Sequence, residues 1–197
     1  MKGCLLDFGC GSKPYKNIFN VEKYIGVDIE VSGHDHKNEN IDFYYDGKTL
    51  PFENETYDSA FSSEVLEHIF TPDAIISEIS RVLKSGAYFL MTVPFVWDEH
   101  EVPYDYGRYS SFGIKFLLEQ HNFEVVKISK TSHYIEVLFQ MLNAYIFQIL
   151  FPANKILKML LVPFFIAPIT ITGMIISLIL PKNKSFYHNN IVVARKK

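Results

Sequence analysis

Two stretches of the chain carry residues that could do chemistry. The first is "LLDFGCGSKPY" (5–15), where an apolar run ends on an acid and two glycines follow, as Asp7-Phe8-Gly9-Cys10-Gly11. Glycines at that spacing let backbone approach a ligand closely, and the preceding carboxylate can accept its polar hydrogens. The second is "VPFVWDEHEVPYDYGRYSS" (93–111). Between positions 98 and 109 it gathers Asp98, Glu99, His100, Glu101, Tyr104, Asp105, Tyr106, Arg108 and Tyr109, beside Trp97. Polar and aromatic groups at this density suit a sugar or another hydroxylated ligand. His100 is the first candidate for a general base, since imidazole titrates near neutrality. Asp105 and Tyr104 follow, and the plainer alternative is that Asp105 and Arg108 tie down a solvated loop. No metal is expected: carboxylates flanking one histidine in a row cannot all face one ion, and no second histidine is placed to help.

The elements that hold these groups read as alternating strands and helices. Strands are expected at "GCLLDF" (3–8), "YIGVDI" (24–29), "DFYYD" (42–46), "YDSAFSS" (57–63), "GAYFLMTVP" (86–94) and "FEVVKIS" (123–129), with a last strand at "NNIVVARK" (189–196). Helices are expected at 73–84 and at 110–122, the latter with a serine N-cap. The fold class is α/β: a mostly parallel, Rossmann-like sheet covered by helices, with ligands at the carboxyl ends of its strands.

Which nucleotide such a sheet binds depends on the turn. Dinucleotide folds carry a third glycine, where this register has Gly9, Gly11 and then Pro14, so an NAD-dependent oxidoreductase is disfavoured. Asp28 closes the second strand and can accept both hydroxyls of a ribose. Asp46 ends the third, where it or its neighbouring amide could read an adenine amine.

In that order the pattern "LLDFGCG", "IGVDI", "DGKTLPF", "YDSAFSSEVLEHI", "EISRVLKSGAYFLMTVP" and "FEVVKI" resembles the class I S-adenosylmethionine-dependent methyltransferases, of the type 11 kind. The resemblance covers residues 3–130 and the terminal strand. It implies a seven-stranded sheet and S-adenosyl-L-methionine as cofactor. It also implies that Asp7, Gly9, Cys10 and Gly11 line the methionine part, Asp28 and Ile29 hold the ribose, Asp46 and Gly47 meet the adenine, and Ser63 and Glu64 follow the fourth strand beside the cofactor. Lys13 stands where many members have a third glycine, and Ser85-Gly86-Ala87 replaces the usual Pro-Gly-Gly. By the same resemblance His68 lies near the cofactor, where a structural role is expected. Intact Asp7, Gly9, Gly11 and Asp28 argue against a non-catalytic partner subunit that only keeps the fold.

The chain divides at 130. Its 197 residues carry a net charge of −3, yet 1–130 sum to −9 and 131–197 to +6. The acidic front would repel nucleic acid. Two cysteines fit a reduced, cytosolic setting, and no leader peptide is expected in "MKGCLLDF". Three parts are expected: a cofactor-binding core (1–130), a hydrophobic helical insertion (131–188) and a strand returning to the sheet (189–197). From Met159 to Leu180 no residue is charged, and as straight helix that run is roughly 33 Å, enough for a bilayer core. Lys155 and Lys158 before it and Lys182 and Lys184 after it suggest that both ends face anionic cytoplasmic lipid. Pro163, Pro168 and Gly173 are expected to break it into a helix–break–helix that dips into one leaflet. The expectation is thus contact with the inner membrane face through 133–184, or burial as a helical cap against the core domain or against a second copy of the chain. With the loop, whose "HEVPYDYGRYSS" loosely resembles methyltransferases of bacterial surface-polysaccharide pathways, it suggests O-methylation of a glycan or lipid-linked acceptor, with a small-molecule or lipid-quinone acceptor as the alternative.

Overall fold

A computed structural model describes residues 1–30 and 40–197. Two compact units emerge: residues 1–129 with 189–197, and residues 130–188.

In the first unit the strands are β1 (Cys4–Phe8), β2 (Lys23–Ile29), β3 (Phe43–Tyr45), β4 (Tyr57–Ser63), β5 (Leu83–Pro94), β6 (Phe123–Lys130) and β7 (Asn189–Lys196). Among the described residues they form one sheet in the order β3-β2-β1-β4-β5-β7-β6. Pairing is parallel from β3 through β5, while β7 runs antiparallel to β5, with Met91 opposite Val192. The order reverses between β1 and β4, and such a switch point opens a crevice at the strands' carboxyl ends. The central strands are buried because crossovers cover their faces: Leu5, Leu6, Val27, Ala60 and Phe89 are inaccessible or nearly so.

Helix α1 (Pro72–Val82) turns Ile75, Ile76 and Ile79 into the core at helical spacing, with Pro72 in its first turn, where its missing N–H costs nothing. Helix α2 (Ser111–Gln120) starts where the Ser110 side chain accepts from the Gly113 amide. The crossover from β1 to β2 is only a 3-10 turn (Lys16–Ile18). Strand β5 begins at Leu83, three residues earlier than its sequence suggests, so α1 ends sooner.

The second unit corrects one expectation. Helices α3 (Tyr134–Tyr145), prolonged by a π-helical turn (Ile146–Leu150), and α4 (Lys155–Ile179) pack as a hairpin, and α4 is continuous through Pro163 and Pro168. Each proline removes one hydrogen bond from a helix of 25 residues, and α4 runs on through both, packed against α3 and the π-helical turn. Gly173 is a packing position: a Cβ there would stand 2.6 Å from Phe139 Cγ. The chain breaks instead at Phe151–Asn154. Phe151, preceding Pro152, is extended, and the Asn154 carboxamide caps α4 by accepting from the amides of Ile156 and Leu157. Lys155 and Lys182 therefore flank a helix about 37 Å long. The lysine bracket no longer argues that both ends of the apolar run share one face.

Candidate active site

The glycine turn between β1 and β2 is built for close approach. Gly9 has φ +72°, and a Cβ on it would lie 2.3 Å from a Val65 methyl carbon. Gly11 has φ +45°, and its amide donates to Asp28 Oδ2 at 2.8 Å, while Oδ1 accepts from the Ile29 amide at 2.8 Å. The turn and the end of β2 are thereby locked together. Lys13, the departure from the third glycine, tucks inward. Its Nζ pairs with Asp42 at 2.7 Å, and Asp42 also accepts from the Gly26 amide. A Cβ at Gly26 would collide with Lys13 and Cys10, so a glycine on β2 makes the room that the turn's own missing glycine does not.

A cavity of about 570 Å³ opens over this turn. It is lined by Asp7, Gly9, Cys10, Gly11, Asp28, Ile29, Gly47, Ser63 and Glu64, all expected around a cofactor. Asp46 does not line it: that carboxylate accepts the amides of Lys48 and Thr49 at 2.9 and 2.7 Å, leaving Tyr45 and Gly47 as the wall. Burial pushes the Asp7 carboxyl up to about 6 even though the Tyr24 hydroxyl donates to it. Burial also takes the Cys10 thiol to about 12, so it is no nucleophile. Glu64 sits at φ +54° where β4 ends, its amide donating to the Thr92 carbonyl and its carboxylate accepting from the Thr92 hydroxyl. Backbone and side chain of this positive-φ residue are thus both fixed by Thr92.

The opposite wall comes from Leu66–His68 and the loop after β5, joined where the amides of Tyr106 and Gly107 donate to the Glu67 carbonyl. His68, Glu101, Tyr104 and Tyr106 line the cavity. Of the three catalytic candidates, only Tyr104 does. His100 stands edge-on against His68, ring centroids 4.8 Å apart. Asp105 is held by the Arg108 guanidinium at 2.6 and 2.7 Å and accepts from the His100 amide, which keeps its carboxyl near 2. A carboxylate so engaged organises the loop and is a poor proton acceptor. His68 takes the position sought for His100. Its Nδ1 lies 2.7 Å from the Tyr104 carbonyl, which can only accept, so Nδ1 carries the proton and Nε2 is left as a base. The available signal was "EVLEH", which puts a histidine five residues past the end of β4.

Comparison with known proteins agrees with this geometry. Residues 6–91 match the family model of the methyltransferase domain. No curated protein sequence matches the chain. Among solved structures it is similar to a chain of the Haloferax volcanii complex between the Trm112 methyltransferase activator and a putative methyltransferase, at 18% identity and TM-score 0.61, covering 98% of this chain and 82% of that one. A putative methyltransferase from Bacillus halodurans C-125 is similar at 16% identity and TM-score 0.59, covering 98% and 91%. A putative sarcosine dimethylglycine methyltransferase from Galdieria sulphuraria follows at 15% and 0.58, covering 100% and 78%. At such identities the structures speak for the fold, and the family model for the chemistry. The match to the methyltransferase domain over residues 6–91, the acid–glycine turn and the sheet order together support a class I S-adenosyl-L-methionine-dependent methyltransferase.

Proposed function

We propose that this methyltransferase works at the cytoplasmic face of a membrane and methylates an oxygen of a glycan or lipid-linked acceptor. The observation that carries the membrane part is that the 130–188 hairpin is built inside out. Its seam is small and polar: Asn143 Nδ2 donates to Thr170 Oγ1 at 2.9 Å, Ser177 Oγ meets His133 Nε2 at 3.0 Å and Glu136 Oε1 at 3.2 Å, and Gly173 lies against Phe139. Its outer surface is apolar, with Phe164 74% and Leu178 82% exposed. Only 6% of the apolar window of α4 is buried, so α4 is not a core helix. Water favours the reverse arrangement. A bilayer favours this one, since lipid covers the apolar faces while small and polar residues join the helices. The hairpin leaves β6 and returns to β7, neighbouring strands, so its two ends stay on one side of whatever it enters.

The acceptor part rests on the cavity wall of Tyr104, Tyr106, Glu101 and His68, whose hydroxyl, carboxylate and imidazole groups suit a hydroxylated ligand. Methyl transfer is an in-line displacement in which the protein mainly aligns acceptor, methyl and sulfur. His68 Nε2 is placed to take the hydroxyl proton.

The test uses the full chain with S-adenosylmethionine labelled in its methyl group, incubated with membranes and their glycolipid extract. Label that enters the organic phase and withstands mild acid as an ether supports the reading. Label confined to water-soluble small molecules, with no flotation of the chain on anionic vesicles, overturns it. A concentration-dependent dimer that does not float would place a second copy on the hairpin.

A further inference from the structure

The sequence offers His100 no second histidine, but the fold supplies one. Among the described residues Glu67, His68 and His100 each bring one ligand-type atom within 4.8 Å of the other two. His68 Nε2 lies 3.9 Å from Glu67 Oε1 and 3.6 Å from Glu101 Oε1. These separations are too long for hydrogen bonds. They are close to the spacing of two ligands on one ion, roughly 3–3.5 Å for metal bonds of about 2.1 Å.

The state of Glu67 is the second observation. The residue is fully buried, and neither carboxylate oxygen finds a hydrogen-bond partner among the described residues; nor does His68 Nε2. A buried carboxylate without a partner is costly, and a cation supplies what is missing. The arrangement behind the histidines points the same way. Metal-binding imidazoles usually give their other N–H to a carbonyl or carboxylate. His68 Nδ1 gives its proton to the Tyr104 carbonyl, and His100 Nδ1 lies 3.2 Å from the Asp98 carbonyl and 3.3 Å from Asp105 Oδ2. The His68 Nε2 is thereby kept for something else. Asp105, fixed by Arg108, also holds the His100 backbone, so the salt bridge in the loop acquires a positioning role.

We propose that Glu67, His68 and His100, with Glu101 in reach, bind one divalent first-row transition-metal ion on the acceptor side of the cofactor cavity. Two imidazoles with carboxylates favour Mn²⁺, Co²⁺ or Zn²⁺ over Ca²⁺ or Mg²⁺, which prefer all-oxygen shells. His68 and Glu101 line the cavity, so a vacant coordination position there faces the acceptor. An acceptor hydroxyl on that position loses its proton more readily, and the proton goes to solvent, because His68 Nε2 is then a ligand and metal activation replaces its general-base role. That last step rests on the methyl-transfer reading, whereas the metal site itself does not.

The experiment is titration of the tag-free, chelator-treated full chain with Co²⁺, read by its visible absorption, in parallel with calorimetry of S-adenosylhomocysteine. One equivalent of Co²⁺, displaced by Zn²⁺, is expected. Glu67→Gln and His100→Ala should each weaken it at least tenfold, and His121→Asn, at the surface pair with Asp73, should not. S-adenosylhomocysteine binding by His100→Ala shows that the unit is folded. A wild-type chain that binds S-adenosylhomocysteine but no Co²⁺ overturns the metal site and leaves the methyltransferase reading standing. So does Co²⁺ binding unaltered in both site variants. A wild-type chain that binds Co²⁺ but no S-adenosylhomocysteine supports the metal site and counts against the cofactor reading alone.

Discussion

The two units obey opposite packing rules. In the first, large apolar side chains such as Leu6, Phe8, Ile76 and Phe89 are sealed inside the sheet and helices. In the hairpin the polar groups of His133, Asn143 and Ser177 are buried, while leucines, isoleucines and phenylalanines point outward. The hydrophobic effect organises the sheet, whereas on the proposed membrane reading close packing with hydrogen bonds organises the hairpin. Each rule can be tested by breaking it in one unit and asking whether the other notices.

The largest effect is expected from Gly9→Val. It places a β-branched residue at φ +72° and drives carbon into Val65, combining backbone strain with overpacking for a cost of about 4 kcal/mol. Cofactor binding should vanish, and the emission of Trp97, the single tryptophan, should report unfolding of the first unit at lower denaturant. Vesicle flotation through the hairpin should survive.

Next comes Glu67, whose carboxyl burial pushes up to about 8 from 4.5. The unfolded chain releases this proton near pH 4.5, whereas the folded one keeps it to about 8. Metal-free stability of the first unit therefore falls as pH rises through that window, by on the order of 3 kcal/mol. Denaturant unfolding at pH 5 and pH 8, followed by Trp97, should show this slope in wild type. It should flatten in Glu67→Gln and in wild type with saturating Zn²⁺.

Gly173→Val is the mirror of Gly9→Val. Its φ is ordinary, so only the clash with Phe139 counts, about 2 kcal/mol against the hairpin in detergent. Cofactor affinity should not move. Asp28→Ala removes the acceptor for the Gly11 amide and, on the resemblance, the expected ribose acceptor, and should weaken S-adenosylhomocysteine about 10- to 30-fold in calorimetry. The smallest effect on folding is expected from Leu178→Ser, under about 0.5 kcal/mol because that side chain touches little protein. Flotation on anionic vesicles should nonetheless drop measurably. A strong folding defect instead would mean that the outer face of α4 is a protein interface.

Some of this was legible in the sequence for physical reasons. Strands announce themselves by apolar runs, and the Asp7–Gly11 turn needs glycines wherever φ is positive, so β1 to β7 and that turn could be read directly, while the other residues of the cavity wall were reached through the family resemblance. Helix continuity through Pro163 and Pro168 could not, because it depends on α3 lying alongside; nor could the turn at Pro152 and Asn154 be ranked above those prolines without knowing what each segment packs against. Asp46 misled because a carboxylate at a strand end serves a turn as well as a ligand. The same holds for Asp105, which chose Arg108.

What the sequence determined by itself is the set of local elements and the cofactor turn, because these depend on residues close together along the chain. What only the tertiary structure decided is which histidine faces the cavity. Glu67 and His68 follow β4 while His100 and Glu101 follow β5, and the parallel pairing of Ser63 with Thr92 brings the two loops side by side at the same end of the sheet. Separation along the chain hides that neighbourhood, and strand register creates it.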